Sequence, residues 1–85
     1  MPLFVIERHF PGALDLDAQG VAAIRAVNAD LGVNWLYSFL SADRRKTYCL
    51  YEAPSAEAIR EAARRANVPA DKIVEVTHLQ PDLVR

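Results

Sequence analysis

Eighty-five residues, 52% of them hydrophobic and 25% charged, suffice for one small domain with a single core. Ten basic against eleven acidic residues leave a formal net charge of -1, which removes the electrostatic case for a nucleic-acid or anionic-membrane partner. The single cysteine closes no disulfide within the chain, and no apolar run has the length of a signal peptide or membrane span, so a cytoplasmic location is expected.

Leu3 to His9 is short, apolar and partly β-branched, which predicts a strand ended by Pro11-Gly12. A helix is expected from Ala18 to Leu31, with Asp17 as its cap and Leu16 stapled onto Val21. Val21, Ile24, Val27 and Leu31 follow three- and four-residue steps and share one face, and Gly32 suits a left-handed stop. Val33 to Leu40 predicts a second strand with Trp35, Tyr37 and Phe39 on one side. "SADRRK" reads as a polar hairpin loop, and its Arg44-Arg45-Lys46 run as a solvated turn. Thr47 to Glu52 makes the third strand.

Ser55 caps a second helix, with Glu57 in its first turn and Ile59, Ala62, Ala63 and Ala66 as a narrow buried stripe. Asn67 and Val68 suit its C-terminal end, and Pro69 prevents continuation. A last strand is expected from about Lys72 to His78, leaving 79–85 as a tail to a single domain over 1–85. The order β-α-β-β-α-β belongs to the α+β class and predicts a ferredoxin-like layout: a four-stranded antiparallel sheet with both helices on one face.

Such a layout leaves the other sheet face open. Strand alternation assigns the clean apolar sets, Phe4/Ile6 and Val74/Val76, to the helix side. Val5, Glu7, His9, Glu75 and Thr77 then fall on the open face beside the aromatics of the second strand. A mixed aromatic and charged face of this kind predicts a homodimer that packs two open faces together, with Glu7, His9 and Glu75 lining the space between subunits.

Few residues carry a chemical signature. Cys49 lies in a strand, without a CxxC partner or a neighbouring histidine, and reads first as a small packed hydrophobe and second as a metal or redox group. His9 and His78 show neither HxH nor HxxxH spacing, but Glu7-x-His9 puts two donors on one side of a strand. Candidate metal ligands are therefore Glu7, His9, Glu75 and Cys49. No nucleophile with a supporting base and no glycine-rich phosphate loop is present, so no catalytic residue is assigned.

The stretches "FVIERHFPG" and "GVNWLYSFLSADRRKTYCLYEAPSAEAIREAARRANVPADKIVEV" together resemble a family of small bacterial ferredoxin-like proteins whose better-known branch is nickel-binding and nickel-responsive. The most specific parts are "KTYCLYEAPS-x-EAIRE" and "PADKI-x-EV". The resemblance implies a dimeric fold and Ni(II), or another divalent transition metal, as cofactor. The nickel-binding branch is histidine-rich near the end of the first strand and in the second helix. This chain has Ala62 and Ala63 in that helix and keeps only His9 near the first strand, so His9 and more loosely Glu7 are the positions that correspond.

Two expectations follow. One is a small dimeric binding protein without catalysis of its own. The other is a small dimeric α/β-barrel-type enzyme holding a small, aromatic substrate between sheet and helices.

Overall fold

Alternating burial builds the sheet. In the computed structural model, which describes residues 1–83, β1 (Leu3–His9) turns Phe4, Ile6 and Arg8 inward. Strand β3 (Lys46–Glu52) does the same with Thr47, Cys49 and Tyr51. Helix α1 (Ala18–Asp30), β2 (Asn34–Leu40), α2 (Ala56–Ala66) and β4 (Lys72–Val76) complete the expected β-α-β-β-α-β order, followed by a 3-10 turn over Pro81–Leu83. The sheet order is β2-β3-β1-β4 with every pair antiparallel, the ferredoxin-like arrangement. Phe4, Ile6, Val33, Cys49, Tyr51, Ala53 and Ile59 form the buried core, with Ile73 packed against it.

Local chemistry starts and stops the helices as the residue types suggest. The Asp17 carboxylate accepts the Gly20 N–H at 2.8 Å, and Gly32 ends α1 at φ 67°. Ser55 Oγ accepts the Ala58 N–H at 3.2 Å. Asn67 closes α2 in the left-handed region at φ 56°, and the Val68 N–H returns to the Ala63 carbonyl at 3.0 Å. Strand β4 stops at Val76, opposite Leu3, earlier than the expected His78. The next position of β1 is Pro2, which has no N–H to extend the ladder.

Two facial assignments differ from expectation. Opposed residues in an antiparallel ladder share a face. Val74 lies opposite Val5 and Val76 opposite Leu3, so both valines are on the open face. Ile73 and Glu75, opposite Ile6 and Phe4, are on the helix side instead. Strand β4 is apolar at both parities, and β4 is an edge, so Glu75 reaches water there without desolvation. On β2, the register steps from Trp35↔Tyr51 to Tyr37↔Leu50, which makes Leu36 the extra residue of a bulge. Trp35 is thereby separated from Tyr37 and Phe39 and faces the helices.

The open face that results carries a row of Tyr37, Leu50, Val5 and Val74 crossing all four strands. A second row runs Phe39, Tyr48, Glu7 and Lys72. Tyr37 and Phe39 meet edge to face with centroids 5.6 Å apart and remain 51% and 65% exposed.

Candidate functional site

The four proposed ligands do not come together. Glu7 is on the open face, where its carboxylate is 2.9 Å from Lys46 Nζ. The hydrogen bond from Lys46 holds its pKa below the ordinary value. Glu75 lies on the opposite face, and Cys49 is buried opposite Ile6 with Sγ 3.6 Å from Thr47 Oγ1. The expected convergence of Glu7, His9 and Glu75 is therefore corrected: the β1–β4 register places Glu75 on the other side of the sheet. Among the described residues no three His, Cys, Asp or Glu side chains cluster as a metal site.

His9 instead finds Asp71. Its Nδ1 is 3.4 Å from Asp71 Oδ2, and the same oxygen accepts the His9 backbone N–H at 2.6 Å. That backbone bond is the main reason the Asp71 carboxyl titrates below its ordinary value. Asp71 was not singled out from the sequence. It immediately precedes β4, and its own N–H bonds Glu7 O at 2.9 Å as the β1–β4 pairing begins. Strand pairing alone would have pointed there. Among the described residues this pair would offer a divalent metal one imidazole and one carboxylate, fewer donors than the four or so that transition-metal sites use, so it does not make a closed site by itself.

The helix side of the sheet holds a cavity of about 240 Å³. The β2 bulge turns Trp35 into it, and Ser38 and Leu40 follow on the same side. The Trp35 ring stacks on Tyr51 at 6.3 Å and 7°, while its Nε1–H donates to Ser38 Oγ at 2.8 Å. Ile24 of α1 and Leu16 cover the opposite side. A Cβ on Gly20 would come within 2.7 Å of Leu16 Cδ1, so the glycine leaves room for Leu16 to lie over the start of the helix in this rotamer. The segment between β1 and α1 is tied to the β2–β3 hairpin. The Leu14 N–H donates to Arg44 O at 2.6 Å, and Arg44 Nη2 donates back to Leu14 O at 2.9 Å. Arg44 takes a left-handed backbone, φ 63°, to do so. Val21, Ile24 and Val27 of α1 are only half-buried, Ile24 facing the cavity, and Asn28 is the one buried side chain of the helix.

Arg8 stands in the cavity wall, 6% exposed. Its guanidinium donates to the Pro69 carbonyl and sits 5.8 Å from the centre of the Tyr51 ring. It forms no ion pair among the described residues. The signal for it was in the alternation: Phe4, Ile6 and Arg8 share one parity on a strand with inward apolar neighbours.

Burial raises the Tyr51 hydroxyl above its ordinary 10.0, against the opposing pull of the Arg8 charge and the Asn28 amide. The folded state therefore holds this proton more tightly than the unfolded chain does. Its contribution to stability is complete below pH 10.0 and is lost as pH rises through the folded value. Denaturant unfolding between pH 8 and about pH 11 is expected to show a steeper alkaline loss for the natural chain than for Tyr51→Phe. Parallel curves for the two would contradict this.

The sequence profile described as "Nickel responsive protein SCO4226-like" matches residues 4–76. Among solved structures, that of SCO4226 from Streptomyces coelicolor A3(2) is similar, with a TM-score of 0.79, 30% identity, and coverage of 92% of this chain and 99% of that one. No curated protein matches the chain. With 73 consecutive positions (4 through 76) matched, the chain belongs to the SCO4226-like family of nickel-responsive proteins.

Proposed function

We propose that the chain is a small binding protein that works as two copies joined through the open sheet face and takes up a divalent transition metal, nickel first, at His9 and Asp71. The observation that carries this reading is the pair itself: an imidazole and a carboxylate 3.4 Å apart in a chain with two histidines, within a nickel-responsive family. Imidazole suits nickel, and a carboxylate beside it adds charge. One copy gives half a site, and two copies double the donors to two imidazoles and two carboxylates. Pairing is supported by the apolar row Tyr37, Leu50, Val5 and Val74, which a second copy would remove from water.

The competing reading, an α/β-barrel-type enzyme acting on a small substrate, has the cavity between sheet and α1 in its favour. Among the described residues the lining of that cavity includes neither histidine nor carboxylate, and its titratable Cys49 and Tyr51 are buried side chains of the core. Binding without catalysis is the reading that its chemistry supports.

Nickel titration of protein made without a histidine tag tests the proposal. Saturating nickel at about a hundred times its Kd is expected to add about 2.7 kcal/mol of stability, seen as a raised Tm. His9→Ala, an exposed site, is expected to fold normally and lose the effect, while Glu75→Ala keeps it. An unchanged Tm together with no heat of binding rules out the metal assignment.

A further inference from the structure

Arg8 is buried in an apolar wall without a carboxylate partner among the described residues, an arrangement that costs a protein stability unless something else satisfies the charge. A guanidinium has five N–H donors, and Pro69 O and the face of Tyr51 occupy only part of that capacity. The Tyr51 hydroxyl also lies within hydrogen-bonding reach of Arg8, but it is a neutral group and leaves the charge uncompensated. The Asn28 amide beside the Tyr51 hydroxyl has its own Nδ2 buried with no acceptor. A second guanidinium, Arg44, also lines the cavity, and it too is in no ion pair among the described residues. The pocket wall therefore holds two guanidinium groups and, among the described residues, no carboxylate.

The rest of the wall is apolar. Trp35, Ile24, Leu40 and Phe10 offer a surface for a hydrocarbon body. The volume of about 240 Å³ falls just under the roughly 300–1,000 Å³ of sites for drug-sized molecules, which sets the ligand at one ring or a short alkyl chain. Leu16 and Leu40 are both exposed and both line the cavity, so it reaches solvent there. A planar carboxylate matches the guanidinium fork with two parallel hydrogen bonds.

We propose that this cavity binds a small organic monocarboxylate, with its carboxylate on Arg8 and its apolar body against Trp35 and Ile24. The site lies on the helix side of the sheet, away from the open face, and involves neither His9 nor Asp71. It therefore stands or falls independently of nickel.

Calorimetric titration of the full chain, free of metal, tests it with phenylacetate, hexanoate, phenylacetamide and inorganic phosphate, Trp35 fluorescence being read in parallel. One or both carboxylates are expected to bind and to perturb Trp35, at least about tenfold tighter than the neutral amide. The tighter of the two identifies an aromatic or an aliphatic body. Arg8→Met is expected to weaken carboxylate binding at least about tenfold and leave the amide unchanged. Should Arg8→Met fail to fold, Arg8→Lys keeps the charge but not the fork and is expected to weaken the carboxylate selectively. Ile24→Trp is expected to fill the cavity and abolish binding with Arg8 intact. The proposal is overturned if neither carboxylate binds, if the amide binds equally well, if only phosphate binds, or if the arginine variants bind carboxylate like the natural chain.

Discussion

Ile6→Ala is expected to cost about 2–5 kcal/mol, the range for deleting a large aliphatic side chain from a packed core. Ile6 is fully buried on a central strand, between Cys49 on β3 and Ile73 on β4. At roughly 0.05–0.15 kcal/mol per residue, a chain of 85 residues has only about 4–13 kcal/mol in total. The loss is therefore a large share of its stability, and the variant should be substantially unfolded at 37 °C if the natural protein is near the lower end. Trp35, the only tryptophan, reports the unfolding in urea. Ile59→Ala, on the opposing helix α2 and equally buried, is expected to lose a similar amount. A loss under about 1 kcal/mol at Ile6 would be incompatible with this packing.

With two copies paired through the open face as proposed, Phe39→Glu is expected to convert that dimer to monomer. Phe39 ends the open-face row that continues through Tyr48, and it is 65% exposed in a single copy. Burying a phenylalanine is worth about 1.5–3 kcal/mol, and a two-fold axis counts it twice. The variant forfeits this and adds two carboxylates that must be desolvated or left apart. Together these should weaken association by at least about a hundredfold. Sedimentation equilibrium of the two proteins at micromolar concentration measures it, with Gln19→Glu, exposed on α1, as a charge-matched control. A natural chain that sediments as a monomer at those concentrations would remove the dimer and leave two metal donors where four were proposed.

Much of the architecture is legible in the sequence. Asp17, Gly32, Ser55 and Asn67 mark the helix ends because capping is a short-range matter of a few backbone N–H and C=O groups. The parity of Phe4 and Ile6 was equally plain, since one face of β1 is apolar and the other is mixed. On β4 the apolar residues stand at both parities, and only the ladder with β1 decides between them. Its register sent Val74 and Val76 to the open face and Glu75 away from Glu7. On β2 one extra residue at Leu36 did the same to Trp35, because a bulge inverts every side chain on one side of it. The candidate ligands illustrate the consequence: Glu7 and His9 keep their shared face, but Lys46 engages the first and Asp71 the second.

The sequence by itself determined the order of elements, the helix boundaries and the family, all of which depend on residues close along the chain or on motifs legible in it. The tertiary structure alone decided which charges meet and where space is left between layers. Arg8, Trp35, Ile24 and Leu16 come from β1, β2, α1 and the segment before α1. Their meeting around a cavity depends on a bulge, on a glycine that admits Leu16, and on the pairing of strands far apart in sequence. The sequence pattern records that one arginine has inward parity, but only packing shows that, among the described residues, no carboxylate was brought to meet it.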